Sequence, residues 1–435
     1  MPQSLITPYV TRCCIVGGGP AGLMLGYLLA RAGINVTVLE KHADFLRDFR
    51  GDTIHPSTLE IMHQLGLLEA LLALPHQRAE TLHAEIAGRD IRLADFTRLP
   101  TRCKFIAFMP QWEFLNFLAE KAAAFPEFTL IKSAQVHQLL YDRGQVCGVL
   151  ADTPEGPIRV RCQLVIGTDG RNSVVREQAS LSSHSFGSPR DVLWMKIDKQ
   201  EGDPAWSMGH TGPKQNFIMI DRGEYWQCGY SIDKGSFEAI QQHGLENFLL
   251  QIAEVAPFQD HRLQTIVSWQ QVKLLSIRID RLDQWAKPGV LCIGDAAHAM
   301  SPIGGVGVNL AIQDAVATAN AIIPPLRSQR LQLKHLQQVQ RRRNFPTKAT
   351  QFLQIKMSQR RPKKRRAGES SKLMARVGNS RWLPHLFGRI IGLGFRRETP
   401  NIWTDRAQSG SGRREEERKS AKPIILACSP PPPEA

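Results

Sequence analysis

A strand, a tight turn and the start of a helix are predicted by the stretch Cys13-Cys14-Ile15-Val16-Gly17-Gly18-Gly19-Pro20-Ala21-Gly22. Its apolar start is typical of a buried parallel strand, and the residues from Leu23 to Ala32 have helical composition and periodicity. In such a strand, turn and helix, Gly17 allows the sharp turn, Gly19 lets the backbone approach a pyrophosphate, and Gly22 permits close packing. The helix N-terminus can then receive negative charge, so the stretch predicts a dinucleotide site.

A second predicted strand, Asn35 to Leu39, ends in Glu40, eighteen residues after Gly22. An acidic side chain at this place accepts hydrogen bonds from both hydroxyls of an adenosine ribose and repels a 2'-phosphate. The sequence therefore favours FAD or NAD over NADP as the bound dinucleotide. The acidic strand end and the flanking strand and helix raise the glycine pattern above a chance match.

Length and cysteine usage limit the class of protein. With 435 residues, two intimately joined domains are the natural expectation. Eight cysteines are scattered without CxxC spacing, which indicates reduced, mostly buried thiols and argues against a disulfide framework or a metal site. Residues 1–11 lack a basic region followed by an apolar run, and no uninterrupted apolar segment reaches the ~18 residues of a membrane span. We therefore expect a cytoplasmic protein.

The net charge of +15 suggests a nucleic-acid partner until its location is considered. Between Arg341 and Arg397, seventeen Lys and Arg residues face one acid, Glu369, so this segment carries +16 and the rest of the chain −1. The charge thus belongs to one C-terminal segment, and we predict no specific nucleic-acid partner. A solvated basic helix is the commoner outcome of such a run. A weak contact of residues 341–397 with an anionic membrane surface is the alternative.

The order of the strand and helix patterns predicts an α/β fold with an inserted, mostly antiparallel sheet. The sequence shows no internal repeat. The predicted regions are 8–74, 100–180 and 282–330 for a discontinuous dinucleotide-binding domain, 75–99 and 181–281 for an inserted substrate domain, 331–397 for a basic helical C-terminal region, and 398–435 for a disordered tail.

Two further glycine-bearing strand ends separate FAD from NAD. The predicted strand Leu164 to Gly167 is followed by Thr168-Asp169-Gly170, and the strand Val290 to Ile293 is followed by Gly294-Asp295. Open α/β sheets bind ligands at the carboxyl ends of their strands. Asp169 is expected to cap backbone amides and order its turn, and the second aspartate can bond a polyol hydroxyl. Three such strand ends suit an extended FAD, which needs anchors at the adenosine, pyrophosphate and ribityl positions.

These three segments resemble the class A flavoprotein monooxygenases of the p-hydroxybenzoate hydroxylase group. The matching residues are the GxGxxG at 17–22, the DG segment at 167–176 and the GD segment at 294–314, and the resemblance covers roughly residues 10–345. It implies a Rossmann-like FAD-binding domain of the GR2 type that carries an inserted substrate domain. It also implies that NADH or NADPH reduces FAD transiently and that O2 then forms a flavin C4a-hydroperoxide. This species would hydroxylate an aromatic, polyketide-like or other electron-rich small molecule.

The resemblance also implies roles for individual residues. Glu40 would hold the ribose, Arg50 would approach the pyrophosphate or the nicotinamide donor, and Gln111 would touch the ribityl or pyrophosphate region. Pro302 would border the flavin C4a position as the catalytic residue. The backbone amides of residues 307–309 would face the pyrimidine edge of the flavin, where a helix N-terminus stabilises the negative charge of the reduced ring. The full predicted set of cofactor-binding residues is Gly17, Gly19, Pro20, Ala21, Gly22, Glu40, Lys41, Arg50, Gln111, Asp169, Gly170, Gly294, Asp295, Pro302, Gly305, Gly307, Val308 and Asn309.

Several side chains have a plainer interpretation as well. His298, just inside a turn, is expected to make a structural hydrogen bond rather than to act as an acid or base. Trp226, Cys228 and Tyr230 share one face of a predicted strand by alternation, and they either line a pocket above the flavin or belong to the sheet core. Arg50 is either a cofactor contact or an ordinary surface residue.

The C-terminal region departs from the family pattern and leaves rival functions open. The family closes with an ordered helical segment, whereas residues 361–366 and the tail after Arg397 lack the pattern of a packed element. One rival is a flavin-dependent reductase of the geranylgeranyl reductase type. Another is a ubiquinone-pathway hydroxylase that lies on a membrane through residues 382–395. A third is a basic interaction protein that acts through residues 341–366. The substrate and the choice between NADH and NADPH are not determined by one sequence.

Overall fold

The structure is a computed structural model that describes residues 8–46, 53–86, 89–203, 210–211, 216–256, 260–359 and 380–402. The strands, numbered along the chain, are β1 (Pro8–Val10), β2 (Cys13–Val16), β3 (Val36–Leu39), β4 (Thr53–Ile54), β5 (Gln77–Ala79), β6 (Thr81–Ile86), β7 (Arg89–Asp95), β8 (Ile106–Phe108), β9 (Phe128–Ile131), β10 (Gln135–Asp142), β11 (Gln145–Thr153), β12 (Gly156–Arg161), β13 (Leu164–Gly167), β14 (Ser183–Ser185), β15 (Arg190–Asp198), β16 (His210–Thr211), β17 (Asn216–Asp221), β18 (Tyr225–Asp233), β19 (Lys273–Leu275), β20 (Asp280–Leu282), β21 (Ala286–Lys287) and β22 (Val290–Cys292).

The helices complete the element order. They are α1 (Pro20–Arg31), α2 (Pro56–Gln64), α3 (Leu68–Leu72), α4 (Gln111–Ala123), α5 (Val174–Gln178), α6 (Phe237–Gln242), α7 (Leu245–Ala253), α8 (Asp260–Leu263), α9 (Gly307–Arg327), α10 (Leu333–Gln359) and α11 (Leu383–Leu393), with 3-10 turns at Trp269–Gln271, Gly294–Ala296 and Ile303–Gly305.

A six-stranded sheet, in the order β21-β22-β13-β2-β3-β9, forms the centre of the first domain. Its strands from β22 to β9 are all parallel, and β21 adds an antiparallel edge. Every residue of β2, β3 and β13 is buried, as expected for a parallel sheet covered on both faces. Helix α1 packs against α4 and α9, and the largest apolar core forms around these elements. This arrangement confirms the predicted α/β fold class.

A second, seven-stranded sheet runs in the order β19-β15-β18-β17-β16-β6-β7. All its neighbouring strands pair antiparallel except β16 and β6. Strands from residues 75–99 and from 181–281 therefore meet in one sheet. Trp226, Cys228 and Tyr230 are buried in an apolar core with Phe248 of α7. Of the two interpretations for this face of β18, the sheet core is the one the structure adopts.

Helix α9 borders two cavities, one at its N-terminus and one along its later part. The helical stretch Ile303–Arg327 is long and apolar enough to cross a membrane, but 78% of its apolar 18-residue window is buried inside the protein. A core helix of a globular domain has the same length and composition. Its N-terminal turn, at Gly307, faces the carboxyl ends of the parallel strands, where we find the candidate site.

Helix α10 is basic and solvated, as its composition predicts, on only part of its surface. One of its faces is buried, and the polar residues on that face are Arg343, Thr347, Gln351 and Gln354. The Gln351 amide donates to the carbonyls of Asp280 and Ala299, at 2.8 and 2.9 Å, and accepts from Arg281. Apolar periodicity reveals only the start of this face, where Leu336 and Val339 join the main core, because the rest of the face docks largely through hydrogen bonds.

The described residues 380–402 close the structure, although the tail after Arg397 lacks the sequence pattern of a packed element. Residues 361–366, which share that expectation, lie outside the described residues. Helix α11 packs against β7 and α2, and its Gly388 lies so close to the backbone of Asp95 that a Cβ would collide with it. Glu398, assigned to the disordered tail, is buried and hydrogen-bonded. The packed region therefore extends at least to Pro400, and the predicted tail beyond residue 402 lies outside the described residues. Glycines and a buried carboxylate contribute to this packing beside Ile391 and Leu393, and an apolar count misses that contribution.

Candidate cofactor and substrate cleft

A cleft of about 670 Å³ opens where the carboxyl ends of the parallel strands meet the N-terminus of α9 and one face of the antiparallel sheet. The predicted residues that line it are Gly17, Gly19, Pro20, Ala21, Glu40, Lys41, Gln111, Asp169, Gly170, Asp295, Pro302, Gly305, Gly307 and Val308. Gly22, Gly294 and Asn309 lie next to the cleft without lining it. Arg50 lies outside the described residues.

The glycine turn between β2 and α1 leaves almost no room for side chains at two of its positions. Gly17 has φ +106°, and a Cβ there would lie 2.6 Å from the Thr168 carbonyl oxygen. A Cβ on Gly22 would collide with the Gly17 carbonyl and come within 2.7 Å of the Thr168 hydroxyl. A Cβ on Gly19 would meet no protein atom within 4 Å. The first two glycines serve the packing of helix against strand, and Gly19 opens the surface of the cleft.

Glu40 stands at the end of β3, facing this turn. Its Oε2 accepts from the Gly18 amide at 2.8 Å and its Oε1 from the His42 amide at 3.0 Å. The carboxylate is buried and therefore held in one orientation by the backbone.

Asp169 orders the turn after β13, in the manner that its sequence context predicts. Its Oδ2 accepts from the Val175 amide at 3.2 Å, and its Oδ1 accepts from the Ser173 hydroxyl at 2.5 Å. Ser173 in turn caps α5 by accepting from the Arg176 amide. Burial raises the pKa of Asp169, although these hydrogen bonds act to lower it. Most of the lone pairs of Asp169 therefore serve the protein's own turn.

An ion pair joins the second strand end to the third. The Arg171 guanidinium lies 3.7 Å from the Asp295 carboxylate, and both side chains line the cleft. The same guanidinium donates to the Ser276 carbonyl at 3.2 Å, beside β19 of the antiparallel sheet. Arg171 thus connects both halves of the cleft wall.

A buried network of charged side chains anchors the backbone at the end of the third strand, β22. The Gly294 amide donates to Asp314 Oδ2 at 3.1 Å, and His298 Nε2 lies 2.6 Å from the same oxygen. The Arg343 guanidinium donates to Asp314 Oδ1 at 2.7 Å and reaches Glu398 at 3.4 Å. Burial acts to raise the pKa of Asp314, but His298 and Arg343 outweigh it, so the pKa is lowered. His298 therefore makes the structural hydrogen bond expected of it.

The Pro302 turn is held by α10. The Gln354 side chain accepts from the Ser301 amide at 3.1 Å and donates to the carbonyls of Ser301 and Ile303, both at 2.9 Å. Pro302 itself is exposed in the cleft. The sequence analysis did not identify Gln354. The one indication in the sequence is that Gln354 lies on the same helical face as Gln351 and Arg343.

Asn309 acts through its side chain rather than by lining the cleft. Its Oδ1 accepts from the His55 amide at 2.9 Å and from the Thr58 hydroxyl at 2.7 Å, and its Nδ2 donates to the carbonyls of Thr53 and Gly305. By the geometry of any α-helix, the first amides of α9 have no partner within the helix. Asn309 thus fixes the orientation of these amides, and Gly307 and Val308 are the residues that line the cleft.

The antiparallel sheet supplies a wall that the sequence did not identify. Its residues in the cleft, with one neighbour from the Pro302 turn, are Trp194, Ile220, Gln227, Leu275, Ile277 and Met300. Gln227 lies between the core residues Trp226 and Cys228, so it points to the opposite face of β18. The Gln227 side chain accepts from Arg222 at 2.9 and 3.0 Å. Strand alternation could have identified this face once the core face was known.

Comparison with known proteins agrees with this geometry. Residues 10–353 match the FAD binding domain family. The chain is 31% identical to 6-methylpretetramide 4-monooxygenase of Streptomyces rimosus, over 80% of this chain and 84% of the relative. It is 27% identical to 3-demethoxyubiquinol 3-hydroxylase of Escherichia coli, over 73% and 81%. Among solved structures, p-nitrophenol 4-monooxygenase of Pseudomonas putida shares the fold, with a TM-score of 0.74, 18% identity, and coverage of 88% of this chain and 97% of that one.

The family match covers more than half of the chain, and the first of these relatives exceeds 30% identity over most of both lengths. The glycine turn, the two aspartate-bearing strand ends and the N-terminus of α9 lie together in one cleft. The chain therefore belongs to the class A FAD-dependent monooxygenases, and it is an oxidoreductase of that family.

Proposed function

We propose that the protein hydroxylates an aromatic, polyketide-like small molecule, with NADH or NADPH as a transient electron donor. In the balanced reaction, the donor supplies two electrons, one atom of O2 enters the product and the other leaves as water. The enzyme would work in the cytosol, which is supported by seven cysteines in the described part of the chain that form no disulfide. The relative with 31% identity bears the name of a monooxygenase that acts on a pretetramide.

The observation that carries this proposal is a continuous cleft with two unlike walls. One wall is built from glycines and backbone amides, where the protein can approach a pyrophosphate closely. The other, in the antiparallel sheet, is mainly apolar and includes Trp194, Ile220, Leu275 and Ile277. A flat, apolar substrate would lie against this wall while the polar group of Gln227 selects its orientation.

The residues of the polar wall fit FAD. We infer that Glu40 binds the adenosine ribose, that Gly17, Gly19, Pro20, Ala21 and Gly22 shape the pyrophosphate turn, and that Lys41 and Arg50 add positive charge. Asp295 would bind the ribityl chain beside Gly294, with Gln111 also lining the cleft and with Asp169 and Gly170 ordering the neighbouring turn. Gly305, Gly307, Val308 and Asn309 would orient amides toward the pyrimidine edge of the flavin. When bound, FAD supplies the activation of O2.

The protein's own residues contribute by positioning the substrate and by excluding water. Pro302 borders the cleft between its two walls, on a turn that Gln354 holds at three backbone groups. A proline cannot donate a backbone hydrogen bond at the place where the walls meet. Closing the apolar wall over the substrate would keep water from the reacting atoms.

Isotope labelling tests the proposal directly. The full-length protein is purified, its flavin spectrum is recorded, and phenols and tetracyclic aromatics are screened for stimulated NADH or NADPH oxidation under 18O2. We expect one 18O atom per hydroxylated product and one product per donor oxidised. Protein without bound flavin would overturn the cofactor assignment. Oxidation that yields only hydrogen peroxide with every aromatic substrate would overturn the hydroxylation. A reductase of the geranylgeranyl reductase type would consume the donor without substrate-dependent O2 uptake.

A second candidate, hydroxylation of a prenylated quinol at a membrane surface, is favoured by exposed apolar residues on α11. Trp382 is 73% exposed, and Leu386 and Phe387 lie exposed beside Arg389. Such a surface can lie in the headgroup region of an anionic membrane. Sedimentation with phosphatidylglycerol vesicles at low salt tests it, with Trp382→Ser/Leu386→Ser as the variant. Failure of the wild-type protein to sediment would remove this candidate and leave the first untouched.

A further inference from the structure

A second cavity, of about 610 Å³, lies on the side of α9 away from the glycine turn. It is formed between the later part of α9, the first half of α10 and the segment after α11. Its lining residues are Ala317, Asn320, Ala321, Gln338, Arg341, Arg342, Arg396, Arg397, Glu398, Thr399 and Asn401. This volume is in the range of small-molecule sites. None of these residues belongs to the predicted cofactor set.

The charge of this cavity, which we call the arginine cavity, is unbalanced. Four of its residues are arginines, and Glu398 is its only acid. Glu398 already pairs with Arg342 at 2.8 Å and with the buried Arg343 at 3.4 Å. Within the part of the chain that the structure describes, Arg341, Arg396 and Arg397 have no carboxylate partner. Like charges gathered in one concavity repel each other, so an anion that enters the cavity is attracted by several guanidinium groups at once.

The walls of the arginine cavity are fixed by hydrogen bonds. The Asn320 side chain donates to the Thr399 carbonyl and accepts from the Asn401 amide, both at 2.9 Å. The Glu398 amide donates to the Gln313 side chain, and the Arg396 carbonyl accepts from Arg343 at 3.2 Å. The backbone that carries Arg396 and Arg397 is therefore anchored to α9 and α10. The backbone positions from which these arginine side chains extend are therefore set before a ligand binds, which reduces the entropy lost on binding.

We propose that the arginine cavity binds a phosphate-bearing small anion. Guanidinium groups present paired N–H donors that match the geometry of phosphate oxygens, and a ligand with two phosphate groups can reach more than one arginine. Asn320, Gln338 and Asn401 add neutral polar groups for the rest of the molecule. The site is separate from the FAD cleft, and neither a monooxygenase reaction nor the family match requires it.

Calorimetric titration of the full-length, FAD-loaded protein with inorganic pyrophosphate and with inorganic phosphate tests this site. The bound FAD keeps its own pyrophosphate turn occupied. We expect pyrophosphate to bind more tightly than phosphate, and Arg341→Gln/Arg397→Gln to weaken pyrophosphate binding at least about tenfold. The matched control, Arg98→Gln/Arg389→Gln, removes the same charge from exposed positions outside the cavity and is expected to change binding less than about twofold.

A second measurement does not depend on the variants. Pyrophosphate should protect Arg341, Arg396 and Arg397 of the wild-type protein from phenylglyoxal, as mapped by mass spectrometry. Absence of both binding and protection would overturn the proposal, and so would an equal loss of binding in the two double variants. Binding that appears only after deletion of residues 403–435 would identify the chain's own tail as the occupant. That result too would overturn a site for a soluble anion.

Discussion

Two cavities share helix α9 and attract negative charge by different means. The FAD cleft, at the N-terminus of α9, is lined by glycines and by the first residues of two helices, α1 and α9. The arginine cavity, along the later part of the same helix, is lined by four guanidinium side chains. Backbone amides are part of the fold and add no net charge, whereas guanidinium groups repel each other until a ligand arrives. Attraction of an anion therefore depends in the cleft on how the backbone packs, and in the arginine cavity on the charge of the side chains.

The two cavities are connected by a buried network that consists of Gly294, Asp314, Arg343 and Glu398. Asp314 holds the Gly294 amide at the cleft, and Glu398 lines the arginine cavity. Arg343, 1% exposed, lies between them. Variants in this buried network, in the cleft and in the arginine cavity should therefore change the free energy of unfolding by very different amounts.

The largest effect is expected for Asp314→Asn. Removal of this carboxylate leaves the buried Arg343, among the described residues, with the Arg396 carbonyl and the longer ion pair to Glu398, and breaking a buried ion pair costs about 3–5 kcal/mol. Urea unfolding of the FAD-free protein measures the loss. The double variant Asp314→Asn/Arg343→Met should lose less than the sum of the two single variants. A loss below about 1 kcal/mol for the single variant would contradict the view that this network connects the cavities.

Acid is expected to have the next largest effect, through His55. Its Nδ1 donates to the Ile391 carbonyl of α11 at 2.8 Å, and burial lowers the pKa of this histidine from 6.5 to about 4. Because the folded-state pKa is lowered, neutral His55 stabilises the fold above about pH 6.5, and this contribution is lost as the pH falls toward 4. The loss amounts to about 3 kcal/mol. Unfolding free energies measured from pH 7 to pH 4.5 should fall less steeply in His55→Gln. An identical slope in both proteins would refute this role.

A smaller effect on stability is expected for Gly22→Ala. The new Cβ collides with the Gly17 carbonyl, and overpacking of this kind costs about 1–3 kcal/mol. Gly19→Ala is the matched control, since its Cβ meets no protein atom within 4 Å. It should unfold like the wild type and bind FAD about tenfold more weakly, as measured by flavin fluorescence. Equal stability of both variants would mean that α1 can shift to admit the methyl group.

The smallest effect is expected for Arg397→Gln in the arginine cavity. Its guanidinium is exposed and has no carboxylate partner among the described residues, so the unfolding free energy should change by no more than about 0.5 kcal/mol. Thermal unfolding at low ionic strength is the measurement. A slight gain in stability would fit relief of repulsion between arginines. Loss of more than about 1 kcal/mol would show that the charge is structural and would remove the contrast between the two cavities.

The lining of the candidate cofactor cleft was largely predictable because the residues expected to bind FAD lie in local sequence patterns. A glycine at 17, an acid at 40 and aspartates after two apolar strands each have a meaning within a few residues of the chain. The C-terminal region was predicted less well. Its docking rests on buried glutamines, an arginine and glycines, such as Gln354 and Gly388, whose partners are distant in the sequence. A polar side chain predicts burial only when its partner is known.

The amino-acid pattern alone was enough to predict the α/β class, the family and the three strand ends at which FAD is expected to bind. These features follow from short-range geometry, since a tight turn or a parallel strand is specified by neighbouring residues. Which face of β18 borders the cleft and how α10 docks became clear from the folded arrangement. It also decided that Asp314 pairs with Arg343 and that the arginines converge on one cavity. Each of these depends on contacts between residues far apart in the chain, where charge and hydrogen bonding rather than apolar periodicity select the partner.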